Sequence, residues 1–130
     1  MATQEAVMTT KEVANRLHEL FQENKWMEAQ QELFSDDAES IEPKDSPGMQ
    51  SVKGIDAIRK KNQWWAENNI VHSAEVDGPF VGDDKFAVYY KYDVTFKPTG
   101  QRQPMEEMAL YTVKDGKVAR EQFFYRTTSS

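Results

Sequence analysis

Between Lys85 and Lys97 the chain alternates without a break. Phe86, Val88, Tyr90, Tyr92, Val94 and Phe96 fall on one parity; Ala87, Tyr89, Lys91, Asp93 and Thr95 fall on the other. A pleated strand sends successive side chains to opposite faces. Large apolar residues at period two therefore predict a long, half-buried strand and fit no helix. A single strand is not stable alone, and the flanking segments supply its neighbours. Gly82-Asp83-Asp84 and Pro98-Thr99-Gly100 are turns by composition. Ile70 to Val81 precedes, with a bend at Gly78-Pro79. Gln103 to Val113 and Lys117 to Arg126 follow, joined by Lys114-Asp115-Gly116, whose Asp-Gly pair predicts a hairpin. The back half reads as an antiparallel meander.

The front half has helical periodicity. Thr10 is positioned to cap a helix, with Glu12 and Val13 following, and Val13, Leu17, Leu20 and Phe21 form one apolar stripe. Glu23-Asn24-Lys25 breaks it. A second short helix runs from Trp26 to Phe34, with Trp26, Ala29, Leu33 and Phe34 apolar; a short strand, Ala38 to Glu42, stops at Pro43. Lys44 to Val52 is a loop containing Pro47 and Gly48. Gly54-Ile55-Asp56 opens a third helix reaching Asn68 or Asn69. Its inward face carries Ile55, Ile58, Asn62 and Trp65, while Lys60-Lys61 reads as solvated. Trp64 and Trp65 cannot both face one way. Three helices followed by a meander predict an α+β domain, a cone-shaped curved antiparallel sheet packed on three N-terminal helices, with a pocket at the open end.

Composition narrows the function classes. At 130 residues the chain suits a single domain, 1–130, with its core at about 10–126 and a tail from Thr127 to Ser130. With no cysteine there is no disulfide framework, thiolate nucleophile or cysteine-held metal. That suits a reducing compartment, and the opening MATQEAVMTT has no signal-peptide pattern, so a cytoplasmic location is expected. The net charge of −6 argues against nucleic acid and anionic membranes as partners, and no apolar run is long enough to span a bilayer. Ser40, Ser46, Ser51 and Ser73 sit in no nucleophile elbow, and phosphate-binding glycine motifs are absent. The two histidines, His18 and His72, are too scattered for a metal site, so neither metal nor cofactor is expected.

Several local words, in order, resemble the SnoaL-like branch of the nuclear-transport-factor-2-like (NTF2-like) superfamily. They are Phe34-Ser35-Asp36-Asp37-Ala38 running to Glu42-Pro43, then Val52-Lys53-Gly54, Gly78-Pro79-Phe80 and Val113-Lys114-Asp115-Gly116-Lys117-Val118. The resemblance spans Lys11 to Tyr125 and implies the cone fold. That superfamily holds ketosteroid isomerases, cyclases, dehydratases and non-catalytic binding modules, so the fold leaves the function open. Ketosteroid isomerases place their general base just before the proline that ends the first strand; the matching residue here is Glu42. Their oxyanion donors correspond to Ala109 and to Leu17 or His18, so that donor pair is missing. Family members frequently dimerise through the sheet. The opposite face here carries Glu106, Met108 and Leu110 with Tyr89, Lys91 and Thr95, which makes a homodimer through the outer sheet face the expected assembly.

Which carboxylates face inward depends on the last hairpin. A two-residue turn pairs Val113 with Val118; a three-residue turn with a bulge at Gly116 pairs Val113 with Lys117. The bulged register is favoured. It puts Glu107, Ala109, Tyr111 and Val113 on one face with Ala119, Glu121, Phe123 and Tyr125. Buried there, Glu107 would hold its proton to higher pH and serve as a general acid, unless it pairs structurally with Arg120. Glu121 could form a like-charge pair with it. His72 alternates with Ile70, Ala74 and Val76 and is expected on the same apolar face as a proton shuttle. The candidate catalytic residues are therefore Glu42, Glu107 and His72. Trp65, Tyr90, Tyr92, Tyr111, Glu121 and Phe123 are expected to line a site for a small, largely apolar molecule. Cofactor-free isomerase, cyclase or dehydratase chemistry and a non-catalytic ligand-binding or assembly role both remain open.

Overall fold

The computed structural model describes residues 7–44, 46 and 49–126; Pro47 and Gly48 of the expected loop, and the expected tail, lie outside them. Helix α1 spans Thr10–Gln22, α2 Trp26–Leu33 and α3 Ile55–Asn68. The strands are β1 Phe34–Ile41, β2 Val52–Lys53, β3 Asn69–Val81, β4 Lys85–Phe96, β5 Gln101–Lys114 and β6 Lys117–Phe124. They form one curved sheet in the order β2-β1-β6-β5-β4-β3, an α+β cone with the three helices on its inner face.

Local chemistry explains the helix limits and corrects one expectation. The α1 cap is Thr9, not Thr10. Its hydroxyl accepts from the Glu12 N–H at 3.1 Å, and its own N–H donates to Glu12 Oε1 at 3.0 Å, a reciprocal capping box. Thr10 instead donates its hydroxyl to the Asp83 carbonyl at 2.7 Å, tying the helix to the β3–β4 turn. At the other end Asn24 takes a positive φ of 60°, which stops the helix. Between α2 and β1 there is no loop, because Phe34 both closes the helix and begins the strand, so β1 starts four residues earlier than expected.

The meander β3–β4–β5–β6 is antiparallel as read, but β1 pairs with β6 in parallel, so the sheet is mixed. Its inner face carries Phe86, Val88, Tyr90, Ala109, Tyr111, Val113 and Val118, all in one core with Val13, Leu17, Leu20, Ala29, Leu33 and Ile58 of the helices, and Val94 is buried on the same strand parity.

The last hairpin combines the two registers. Asp115 and Gly116, at φ 52° and 76°, make a two-residue turn that pairs Lys114 with Lys117 and Val113 with Val118. The extra residue enters one rung later. Thr112 pairs with Arg120, so Ala119 is the bulge, and beyond it Tyr111 faces Glu121 and Ala109 faces Phe123. Val118, rather than Ala119, therefore joins the core, while Glu121 and Phe123 keep the expected face.

Candidate functional site

Four elements converge on one buried polar cluster. Along β1, Ala38 and Ser40 alternate inward, and Glu42 continues that parity just past the strand; their exposures are 0, 0 and 8%. Parallel pairing with β6 puts Ser40 directly opposite Glu121. From α3, Lys61 reaches in on the face of Ile58. The Lys61 and Glu42 side chains are only 6% and 4% exposed, and their charged atoms meet at 2.7 Å. Lys61 Nζ also donates to Ser40 Oγ at 2.6 Å, and Ser40 passes its own proton toward Glu121 Oε1 at 2.8 Å. The Tyr125 hydroxyl donates to Glu42 Oε1 at 2.6 Å, which leaves Ser46 as the donor in its short contact with Tyr125. The Glu42 N–H is taken up by Ser51 Oγ at 2.9 Å.

The electrostatics follow from crowding. Protein surrounds the Glu107 carboxyl, while the residue as a whole is half-buried. Loss of hydration, then the charges of Glu42 and Glu121, push it up to about 8, against the pull of Lys61. Burial likewise lifts Glu121 to about 7, opposed by the Ser40 hydrogen bond and by Lys61. One ammonium thus serves three glutamates, and at neutral pH Glu107 retains its proton.

The aromatic residues pack beside this cluster. Tyr90, opposite Glu107 on β4, shares a 2.8 Å hydrogen bond with Tyr111 in the core. Tyr90 stacks on Tyr92 at 5.8 Å, and Tyr92 meets Trp65, also at 5.8 Å. Lys61 Nζ lies 5.6 Å from the centre of the Phe123 ring. Burial raises the Tyr92 phenol, so it stays a proton donor across the physiological range.

The SnoaL-like domain pattern matches residues 8–125 of the sequence. The chain belongs to the SnoaL-like family. This SnoaL-like chain is also similar to a solved protein from Mesorhizobium loti, named as a candidate SnoaL-like polyketide cyclase with carbohydrate phosphatase in brackets. The two share 43% identity over 91% of this chain and 100% of that one, with a TM-score of 0.86. A candidate SnoaL-like polyketide cyclase from Jannaschia sp. CCS1 shares 20% identity over 94% of this chain and 90% of that one, at TM-score 0.73. An NTF2-like protein from Burkholderia thailandensis E264 shares 17% over 93% of each chain, at 0.79. These last two show the NTF2-like fold. Among curated proteins, none matches.

Against its expected site residues, this SnoaL-like chain brings Glu42, Glu107 and Glu121 together, with Tyr90, Tyr92, Tyr111, Trp65 and Phe123 around them. It does not bring His72. Val71 pairs with Val94 and Ser73 with Asp93, so His72 is itself a bulge residue. The bulge puts Ile70 and His72 out of phase with Ala74 and Val76, and His72 is exposed, hydrogen-bonded to Thr95 at 2.7 Å. Arg120 is exposed on the outer face and is no partner for Glu107. Lys61 was expected in solvent and Asn62 inside. The structure buries Lys61 and leaves Asn62 half-buried, because Ile58, Lys61 and Trp65 share the inner face of α3. Ser40, Ser46, Ser51 and Tyr125 were also missed as members of the cluster. For Ser40, the parity of Ala38, Ser40 and Glu42 was the available signal.

Among the described residues, no group of three His, Cys, Asp or Glu is disposed to hold a metal ion, and no helix is long and apolar enough to cross a membrane. At the positions matched to the isomerase donors, Ala109 and Leu17 are packed in the core and the alternative, His18, is half-buried.

Proposed function

We propose that this SnoaL-like protein binds a small, largely apolar, carbonyl-bearing molecule beside the buried carboxylates and moves a proton on it without a cofactor. The observation that carries the reading is Glu107, a half-buried residue whose carboxyl is surrounded by protein and pushed up to about 8 by burial and by the charges of Glu42 and Glu121. In the step envisaged, Glu42 takes a proton from the carbon next to the carbonyl. The C–H electron pair moves into the new carbon–carbon double bond, and the carbonyl π pair moves onto oxygen. That oxygen receives a proton or hydrogen bond from Glu107, with Tyr92 as a second donor. Lys61 and Tyr125 hold the Glu42 carboxylate in place, and Trp65 and Phe123 supply apolar wall. Isomerisation, cyclisation and dehydration all begin with such a step. Three carboxylates around one ammonium are a poor seat for a phosphate ester at this site.

Exchange of carbon-bound hydrogen for deuterium tests this across a panel of small ketones and β-keto esters, read by NMR. Single Glu42→Gln and Glu107→Gln variants should each slow exchange by about a hundredfold or more. Full exchange in both variants on every responsive compound overturns the mechanism.

A second reading has its own support. Tyr90, Tyr92 and Trp65 fill much of the inner face with mutual contacts, which favours a non-catalytic ligand-binding or dimeric assembly module. A ligand retained through purification, with no exchange on any compound, selects that reading. In either case we propose a cytoplasmic homodimer joined through the outer sheet face. There Tyr89, Met108 and Phe124 lie directly opposite one another on three adjacent strands, with Met108 45% and Phe124 48% exposed.

A further inference from the structure

A crevice of about 380 Å³ runs between α3 and the segment entering β2, outside the inner sheet face. Met49, Val52, Ala57 and Trp64 line it with largely apolar residues, and Gln50, Lys60 and Lys61 complete the lining. Among the described residues, two lysines and no carboxylate line it, in a chain whose net charge is −6. The neighbouring depression, of about 660 Å³ at the start of α3, sets Asp36 and Asp56 against Lys53 and Lys60 and has no such bias.

The two lysines are not equivalent. Lys61 turns its ammonium away, into the ion pair with Glu42, and leaves its methylene stem to the crevice. Lys60 is exposed and forms no ion pair among the described residues. Among the described residues the charge left to the crevice is therefore that of Lys60, which also borders the depression holding Asp36 and Asp56. Trp64 is held ready: its ring meets Phe96 at 6.4 Å, and its carbonyl accepts from Asn68 Nδ2 at 2.8 Å. Yet the residue remains 41% exposed. An indole kept partly in water beside a thioether and an unpaired ammonium suits a flat apolar body that carries one negative charge.

We propose that this crevice is a binding site for a small organic monoanion of the aromatic carboxylate type, its carboxylate on Lys60 and its ring on Trp64 between Met49 and Val52. The site does not depend on proton transfer at Glu42 and Glu107.

Sodium naphthoate and neutral naphthylmethanol, titrated separately into isotope-labelled protein, test it through amide and indole N–H spectra. The expected result is saturable shifts at the Trp64 indole, Ala57 and Gln50, with the alcohol bound about tenfold more weakly. Lys60→Glu should weaken naphthoate by the same factor and leave the alcohol unchanged. Trp64→Leu should weaken both probes, and Glu107→Gln should affect neither. Because Lys60 is exposed, the rest of the spectrum of Lys60→Glu should match the parent and report an intact fold. Equal affinity for the two probes, shifts centred on Tyr92 and Phe123 or on Met108 and Phe124, or no saturable shift overturns the proposal.

Discussion

Burial and the charges of Glu42 and Glu121 raise Glu107 from the ordinary 4.5 to about 8, and burial lifts Glu121 to about 7. An acid whose proton is held more tightly in the folded chain stabilises the fold fully below its unfolded value. That contribution is lost as pH rises through the folded one. For Glu107 the window runs from 4.5 to about 8. Glu107→Gln cannot ionise, so it should gain stability relative to the parent as pH rises through that window, by up to about 1.4 kcal/mol per pH unit. Urea unfolding at a series of pH values measures this; parallel stability profiles would mean that Glu107 titrates as a solvated group. The carboxylates were legible because strand parity carries a glutamate inward with its apolar neighbours. Lys61 was not, because a lysine beside a lysine on a helix reads as solvent-facing. Only the partner Glu42, supplied by another element, brings it inside. His72 failed for a different reason: one bulge cancels the alternation on which the reading relied.

Helix and strand periods carried most of the element assignments, and the ends were set by chemistry that is also written locally. The spacing of Thr9 and Glu12 is a capping box, and it makes α1 sensitive to one hydroxyl. Thr9→Ala should cost about 1 kcal/mol, read as a lowered thermal midpoint, whereas Thr9→Ser should be nearly neutral. The loss expected at Thr9 would move to Thr10 if the side chain tied to Asp83 were the more important anchor. Pairing was less legible than periodicity. No local word says that β1 lies beside β6, and the choice depends on matching Phe34 and Ser40 with Val118 and Glu121 far along the chain. The Asp-Gly turn was readable, but the bulge at Ala119 was displaced by one rung from the turn that suggested it.

Across the whole molecule the two sheet faces differ in kind. The inner face is closed by helices, while the outer one leaves Phe80, Met108 and Phe124 in water at 63, 45 and 48% exposure. If a second copy covers that face, replacing Met108 and Phe124 together by lysine should convert a dimer to a monomer in sedimentation velocity with the helical spectrum intact. A parent protein that already sediments as a monomer would dispose of the dimer. The parallel pairing of β1 with β6 has a further consequence, in the order of synthesis. Ser40 and Glu42 leave the ribosome 81 and 83 residues before their partners Glu121 and Tyr125. Until β6 arrives, β1 has an open hydrogen-bonding edge, and Lys61 and Glu42 lack the walls that shield them. The polar cluster therefore forms only after β6 is made: its first residues must wait for a strand about eighty residues further along, and a chain interrupted before it exposes a strand edge rather than half a site.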